Sequence, residues 1–366
     1  MSAGSPVTRS AAEAIRRARD RVASEVTEEF LRRHPDWVDR YGERARIRGI
    51  EDARFHVDFL AGAVAAGGPE PFAAYARWAA RVLAARKIPP VFLAENLRQV
   101  GDALSAGLEG AVADLVRRTA EAGVAAASEA LTGPEDGDPS AEGDLGLARD
   151  VFTQAALAGD RVAAANVARE AVLAGHPVVD IYVDVLERSQ VEVGRLWESN
   201  RITVGVEHLA TAVTQFVLAQ MFPLLERSAI RRGRAIVTGI EGESHQLGGH
   251  MVADLLESEG WDVMFLGTNS PVEDVLRLVA EHRPRFVGIS AATLINLPKI
   301  VTLIARLRAG AGRAPKVIVG GALFRTMPGL WQEVGADAFA SDLREVAALA
   351  RSIAGAPEGP EPPASL

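Results

Sequence analysis

Two histidines stand among glycines in the stretch GIEGESHQLGGHM, which runs from Gly239 to Met251. A glycine-rich loop after an apolar run marks a tight turn or a close approach of the backbone to a ligand. Within this loop Glu243, His245 and Gly248 follow the spacing Glu-x-His-x-x-Gly. A loop histidine beside a carboxylate can bind a metal through one ring nitrogen, while the other nitrogen donates to the acceptor that fixes the tautomer. The pattern therefore indicates a coordination site.

The metal at such a site is expected to arrive inside a cofactor. No second cluster of His, Cys or carboxylate with zinc spacing accompanies His245, and His250 and His282 are interpreted as residues on a helix face and at a helix end. The chain has no cysteine, which excludes disulfides, thiolate metal sites, a cysteine nucleophile and a thioether-linked chromophore. Any pigment must then be held non-covalently.

The elements that must position this loop follow Arg231, where five apolar runs alternate with helical stretches. The runs are RAIVTG, WDVMFLG, RFVGIS, KVIVGG and the weaker ADAFAS. This alternation predicts a doubly wound parallel sheet of the Rossmann or flavodoxin type, in which ligands bind outside the carboxyl ends of the strands. The Glu243 loop lies at the end of the first predicted strand. Small and polar residues end the third and fourth strands: Ser290, Thr293, Gly320 and Gly321.

The rest of the chain has helical periodicity, so the fold class is α plus α/β. Apolar residues recur at three- and four-residue spacing before the sheet, and strand signals are missing there. Four amphipathic segments predict a four-helix-bundle cap directly before the sheet. The predicted organisation is an all-helical domain at 1–131, a flexible acidic linker at 132–144, the cap at 145–230, the sheet domain at 231–354 and a disordered tail at 355–366.

Length and charge limit the classes of function. With 366 residues the chain is long enough for two or three domains, and its net charge of −8 disfavours a phosphate-binding surface. No helix-turn-helix with a basic recognition helix is apparent in the sequence, so we expect no DNA partner. An apolar signal core at the N-terminus and an apolar run of roughly 18 residues are also missing, which predicts a cytoplasmic protein with no membrane partner.

Together, the three strand-end motifs resemble the cobalamin-binding family, whose loop carries Asp-x-His-x-x-Gly and whose later strands end in serine and in Gly-Gly. The resemblance covers Leu145 to about Ala354. It implies that His245 displaces the dimethylbenzimidazole of the cofactor as the lower cobalt ligand and that Glu243, one methylene longer than the family's aspartate, tunes it. It also implies a slot for the nucleotide tail, lined by Gly248, Ser290, Thr293, Gly320 and Gly321. The alternative is a surface-loop histidine on a flavodoxin-like domain.

A second motif lies in the predicted cap. Trp197 is followed after nine residues by Glu207 and His208, a spacing that resembles the light-sensing branch of the cobalamin-binding family. In that branch the tryptophan covers the upper adenosyl group and the Glu-His pair contacts adenosine, so adenosylcobalamin is the implied cofactor. Glu198 stands where the DNA-binding photoreceptors of this branch have a histidine, which puts a bis-histidine photoproduct in doubt. The alternative is a core tryptophan and a glutamate in a first helical turn.

The N-terminal helical domain resembles, more diffusely, the globin-like sensory modules of stress-signalling regulators and of photocobilins, which join a cobalamin domain to a bilin-binding domain. Aromatic walls, cations for two propionates and a polar group suit a linear tetrapyrrole. The candidate residues for a non-covalent bilin such as biliverdin are Arg54, His56, Tyr75, Trp78 and Arg81. The alternative is that these aromatic residues form a core and the arginines are solvated.

These expectations combine into a two-chromophore photoreceptor that signals through conformational change and has no catalysis of its own. Its partners would be its chromophores and either an unknown protein or a second copy of the chain. Two alternatives remain. One is a corrinoid protein that carries methyl groups between methyltransferases, and the other is a stressosome-like scaffold whose helical domain binds only protein.

Overall fold

The computed structural model describes residues 5–129, 144–310 and 314–354. The predicted tail lies outside these ranges, and so does the predicted linker apart from Asp144, which begins a helix. The chain packs as two compact units. The first contains residues 5–129 together with Thr293–Ala309 and Thr326–Ala336, and the second contains the remaining described residues.

Six helices make up most of the first unit: α1 Pro6–Arg33, α2 Pro35–Tyr41, α3 Glu43–Ala65, α4 Glu70–Ala85, α5 Pro90–Ser105 and α6 Gly110–Glu129. The predicted all-helical character is confirmed for the described part of this region. Prolines lie in the first turns of α1, α2, α4 and α5, where the missing N–H costs no helical bond. Among the described helices, none combines the length and the apolar character that a membrane span requires.

Later in the chain, the helix α14, Leu297–Ala309, and the short helix α16, Leu330–Glu333, also belong to the first unit. The C-terminal half of α3 is buried, and a Cβ added at Gly62 would lie 2.3 Å from the carbonyl oxygen of Leu294. Only a glycine allows this approach between α3 and the 3₁₀ turn Leu294–Asn296 that leads into α14.

The second unit begins with the cap. Its helices are α7 Asp144–Leu157, α8 Arg161–Leu173, the continuous run of α9 Val178–Asp180, π-helical Ile181–Glu187 and α10 Arg188–Glu198, and then α11 Val204–Met221. The four predicted amphipathic segments are thus confirmed as four helical rods. The side chains of Asp160 and Thr203 cap the starts of α8 and α11. An apolar core that includes Phe152, Ile181 and Leu218 holds the rods together.

A five-stranded parallel sheet follows, with β1 Gly233–Thr238, β2 Trp261–Phe265, β3 Phe286–Ser290, β4 Lys316–Gly320 and β5 Ala338–Ala340. Each predicted apolar run is confirmed as a strand. The strand order β2-β1-β3-β4-β5 is the flavodoxin-like order. The helices α12 Leu247–Ser258, α13 Val272–His282, α15 Ala322–Thr326 and α17 Leu343–Ala354 lie between or after the strands. The order reverses between β1 and β3, which are paired through Thr238 and Ile289, so the loops that follow them are neighbours.

Candidate functional site

The loop between β1 and α12 is organised by one buried carboxylate. Oε1 of Glu243 accepts hydrogen bonds from the backbone N–H groups of Ser244 at 3.0 Å and His245 at 2.9 Å, and it lies 2.6 Å from Nδ1 of His245. Oε2 accepts from the N–H of Ala292 at 2.8 Å, in the loop after β3. An ionised carboxylate only accepts, so Nδ1 of His245 carries the hydrogen and Nε2 holds the lone pair of the neutral ring.

The side chain of Glu243 is 1 % exposed, whereas that of His245 is 61 % exposed. Burial alone would raise the pKa of Glu243, but hydrogen bonds from the His245 side chain and from the N–H groups of Ala292 and His245 hold that pKa below its ordinary value. The hydrogen bond to Glu243 raises the pKa of His245 against the effect of burial, and the charges of Glu243 and Glu207 add to the rise. Glu207 of the cap is therefore close enough to act on the loop electrostatically.

Glycines shape this loop for two different reasons. Gly242 has a φ of +92°, in the region that favours glycine, and its N–H donates to Oδ1 of Asn269 at 2.9 Å. A Cβ at Gly239 would lie 2.9 Å from Cγ2 of Thr268 and 3.1 Å from Cγ of Glu243. The loop can therefore wrap closely around the Glu243 side chain and hold its carboxylate in place.

The predicted slot residues divide into two groups. A Cβ at Gly248 would lie 4.0 Å from Oγ of Ser290, an ordinary contact distance, so the glycine faces this serine without crowding it. At Gly321, φ is +92° and a Cβ would lie 2.4 Å from the carbonyl oxygen of Ala291, while at Gly320 it would lie 3.3 Å from that of Ala340. The close packing of neighbouring backbone thus accounts for these two glycines. Thr293, the remaining predicted slot residue, packs in the first unit, and its Oγ1 accepts from Nδ2 of Asn296 at 3.3 Å.

In the cap, the predicted motif lies at the end of α10 and the start of α11. Trp197 is half-buried in the last turn of α10. Glu207 lies in the first turn of α11 with its side chain 29 % exposed, and its Oε2 pairs with Nδ1 of the exposed His208.

All five predicted bilin residues belong to the first unit, and three of them lie next to one another. Nδ1 of buried His56 lies 2.6 Å from the hydroxyl of Tyr75, and the Trp78 ring centroid lies 6.0 Å from that of Tyr75. Phe59 stacks on Tyr75 with centroids 3.7 Å apart. The two arginines have other surroundings: Arg54 pairs with Asp20 at 2.9 Å, and Arg81 is exposed to solvent.

Sequence reasoning missed two features of the second unit. One is the backbone N–H of Ala292, which no sequence signal could reveal because it lies 49 residues from the carboxylate it contacts. The other is a group of polar side chains inside the cap: Gln190, Thr211 and Thr214. Thr211 and Thr214 follow Glu207 by four and seven residues, which is a helical spacing that could have placed them on its face.

The residues present fit a corrin cofactor. His245 offers an exposed imidazole whose Nε2 is not taken up by the buried carboxylate that orients the ring, and Gly248, which has no side chain, faces Ser290. Both features occur at the carboxyl ends of β1 and β3, where the strand order reverses and where such sheets bind their ligands.

Comparison with known proteins agrees with this fit. Two models described as B12 binding domains match the chain, one over residues 148–221 and the other over residues 233–349. The dimethylamine corrinoid protein 1 of Methanosarcina acetivorans is 30% identical over 166 residues, which are 44% of this chain and 76% of that protein. The chain belongs to the B12-binding proteins. Within this B12-binding protein the matched ranges contain the whole cap motif and the Glu243 loop, and they begin after α6.

Other relatives of this B12-binding protein differ in role. The HTH-type transcriptional repressor CarH of Myxococcus xanthus is 32% identical over 192 residues, which are 52% of this chain and 63% of the repressor, so the chain spans less than two thirds of that relative. The solved structure of the Methanosarcina barkeri monomethylamine corrinoid protein matches this chain with a TM-score of 0.52 and 25% identity. The match covers 57% of this chain and 98% of the corrinoid protein.

Proposed function

We propose that this B12-binding protein is a light-sensing signalling protein that holds adenosylcobalamin between its cap and its sheet. The observation that carries the proposal is the packing of the cap on α12, the helix that follows the His245 loop: Leu218 of the cap lies in one apolar core with Met251 and Leu255. Trp197 lies in the last turn of α10 in this cap, and the charge of Glu207 adds to the rise in the His245 pKa. Similarity to a protein named as a transcriptional repressor supports a signalling role.

When bound, adenosylcobalamin supplies a cobalt to carbon bond that visible light breaks. The residues of the chain bind and orient this group. His245 would give its Nε2 lone pair to cobalt, because its Nδ1 hydrogen is held by Glu243. Glu243 would hold the ring in the required orientation throughout, since its carboxylate is fixed by four hydrogen-bond donors.

Residues of the cap would set the preference for adenosylcobalamin over methylcobalamin. Glu207 only accepts hydrogen bonds, and an adenosyl group offers ribose hydroxyls as donors, whereas a methyl group offers none. The indole of Trp197 would pack on the adenosyl group, which would bury apolar surface of both and exclude water from between them. Loss of the adenosyl group would remove these contacts, and a difference in contacts between the dark and lit states is what a conformational signal requires.

Titration of the purified protein with adenosylcobalamin and with methylcobalamin tests the proposal. We expect adenosylcobalamin to bind at least about tenfold more tightly, the size of one hydrogen bond to a charged group. Glu207→Gln and Trp197→Ala should each reduce this ratio, while Glu170→Gln, at an exposed position on α8, should not. Green light should then change the absorption spectrum and the elution volume of the loaded protein.

The methyl-carrier function is the second candidate, because several relatives are corrinoid proteins named for methylamines. Equal affinity for the two cofactors, or a preference for methylcobalamin, would favour this carrier over the light sensor. Since one relative is named as a transcriptional repressor, DNA binding should be measured in the dark and after light, although we propose that the output is a change in protein association.

Bilin binding by the first unit stays a prediction that the comparisons do not support, since the matched ranges begin after this unit's six N-terminal helices. Tyr75 contacts both His56 and Trp78, as the alternative of an aromatic core expects. Mixing the protein with biliverdin should give a red-shifted pigment spectrum, and the His56→Ala, Trp78→Ala double variant should not give it. The same spectrum from the double variant, or none from the wild type, would leave the protein with cobalamin as its chromophore.

A further inference from the structure

A line of polar side chains runs from the interior of the cap to the Glu207 carboxylate. We call Gln190, Thr211 and Thr214 the cap ladder. Oγ1 of Thr211 lies 3.2 Å from Oε1 of Glu207 and 3.0 Å from Oε1 of Gln190. Nε2 of Gln190 lies 2.8 Å from Oγ1 of Thr214, whose hydroxyl is 3.0 Å from the carbonyl oxygen of Ala210. The ladder therefore connects α10 with the inner face of α11.

Stability alone does not explain these residues. Thr214 is fully buried, and Gln190 and Thr211 are half-buried, in a bundle whose core is mostly apolar. Another buried polar contact of this kind in the cap joins Thr153 and Ser189. A buried polar group costs free energy unless it is paired, and an apolar pair of the same shape is often as stable. A helical bundle could use apolar residues at these positions. The polar ones are hydrogen-bonded to one another, and the line they form ends at Glu207.

The directions of the hydrogen bonds show how the ladder works. Thr214 donates to Ala210, so its oxygen accepts from Nε2 of Gln190, and this bond turns Oε1 of Gln190 toward Thr211. The Thr211 hydroxyl then has one hydrogen and two acceptors, Gln190 and Glu207. It can donate to either without moving its oxygen.

We propose that Gln190 and Thr211 are positioning residues that hold the Glu207 carboxylate in place and set the preference for a cobalamin whose ligand offers hydroxyl donors. This inference rests on the proposed function. Before the ligand binds, Thr211 donates to Glu207 and holds it in place. When a ligand hydroxyl donates to Glu207, the Thr211 hydrogen turns to Oε1 of Gln190, so both acceptors have a donor in the bound state. The ladder lets the site accept a hydroxyl without leaving a buried oxygen unpaired.

The test compares one variant that loses the Thr211 hydroxyl with one that keeps it. Thr211→Val keeps the shape of the side chain and removes the donor, and it should lower the affinity for adenosylcobalamin about tenfold while the affinity for hydroxocobalamin stays within about twofold of wild type. Thr211→Ser keeps the hydroxyl and should retain the wild-type ratio of the two affinities. Gln190→Met, which removes the far acceptor, should lower the ratio in the same direction even if Thr211→Val fails to fold.

Thr153→Val is the matched control, because Thr153 is another buried cap threonine, and its hydroxyl lies 2.7 Å from the carbonyl oxygen of Arg149. It should leave the ratio unchanged. The ladder would be wrong if Thr211→Val kept the wild-type ratio, or if Thr211→Ser lost it as fully as the valine variant. A wild-type protein that binds no cobalamin, or that prefers methylcobalamin, would instead overturn the proposed function and not the ladder alone.

Discussion

At the scale of single residues, Glu243 connects two loops with one carboxylate. Oε1 accepts hydrogen bonds from the ring and the backbone N–H of His245, and Oε2 accepts one from the N–H of Ala292 at 2.8 Å. The resemblance predicted a tuning role with the extra methylene as a small departure. The longer side chain in fact also accepts a bond from the loop after β3, so the ring orientation of His245 depends on both loops.

Changing this carboxylate should weaken cofactor binding. Glu243→Gln removes the charge and replaces one acceptor oxygen with a donor, so it cannot accept from all four N–H groups. We expect the affinity for cobalamin to fall about 10- to 100-fold, the usual effect of losing a partner that orients a metal ligand. Spectral titration at constant pH measures this. Glu257→Gln, at an exposed position on α12, should leave the affinity unchanged, and equal losses in both variants would remove the special role of Glu243.

The buried pair in the first unit gives a pH dependence. Burial lowers the pKa of His56 to about 4, so the folded protein keeps the ring neutral and the Tyr75 hydroxyl can donate to it. The unfolded chain binds this proton first, at a pKa of about 6.5. The folded state therefore keeps its full stability above that pH and loses stability as the pH falls toward 4. Between pH 7.5 and pH 5 the wild type should lose on the order of 2 kcal/mol of unfolding free energy through this group.

His56→Gln keeps an acceptor for Tyr75 and does not titrate, so its urea unfolding should lack this loss. His176→Gln, at a half-buried position in the turn after α8, should retain the wild-type acid dependence. Identical pH profiles for His56→Gln and the wild type would show that His56 is not held neutral in the folded protein.

At the scale of elements, the π-helical segment Ile181–Glu187 joins the cap to the helix that follows the metal loop. Tyr182 donates from this segment to Oδ2 of Asp254 on α12 at 3.0 Å, and both side chains are buried. Burial raises the pKa of Asp254 to about 6. Segments of this kind often occur at functional sites. Because α12 begins just after His245, this hydrogen bond links the cap directly to the helix that follows the loop.

Tyr182→Phe should therefore destabilise the protein by about 1–3 kcal/mol, since it leaves a buried carboxyl without its donor. Urea unfolding measures the change, and Tyr41→Phe, at an exposed position on α2, should cost nothing detectable. Restoration of stability in the Tyr182→Phe, Asp254→Leu double variant would confirm that the unpaired carboxyl causes the loss. A neutral Tyr182→Phe would mean that the two side chains do not depend on each other.

At the scale of the whole molecule, the sequence predicted the elements better than their packing. The strands were readable because parallel strands buried on both faces form continuous apolar runs, as RAIVTG and KVIVGG show. The pairing of Glu243 with His245 could be predicted because the two residues are only two positions apart, so their contact depends on local sequence alone. The grouping of α14 with the first unit was not, since periodicity shows which face of a helix is apolar and not which unit covers it.

Gly62 provides a stability test of that grouping. In a helix with open space, replacing glycine by alanine stabilises by about 1 kcal/mol. At Gly62 the new Cβ would meet the Leu294 carbonyl oxygen at 2.3 Å, so Gly62→Ala should instead destabilise by about 1–3 kcal/mol. Gly194→Ala, in α10 with nothing within 4 Å of the added Cβ, should be stabilising. Thermal unfolding of both variants gives the signs, and a stabilising Gly62→Ala would contradict the packing of α3 on this turn.

Ligation of cobalt by His245 is the claim on which the proposed function depends, and electron paramagnetic resonance of the cob(II)alamin form measures it directly. An axial nitrogen-14 splits each cobalt line into three, and nitrogen-15 splits it into two. Protein made with nitrogen-15 histidine and loaded with unlabelled cobalamin should show doublets, which His245→Ala should lose. Triplets in the labelled wild type would show that the cofactor's own base remains on cobalt, and they would contradict His245 as the lower ligand.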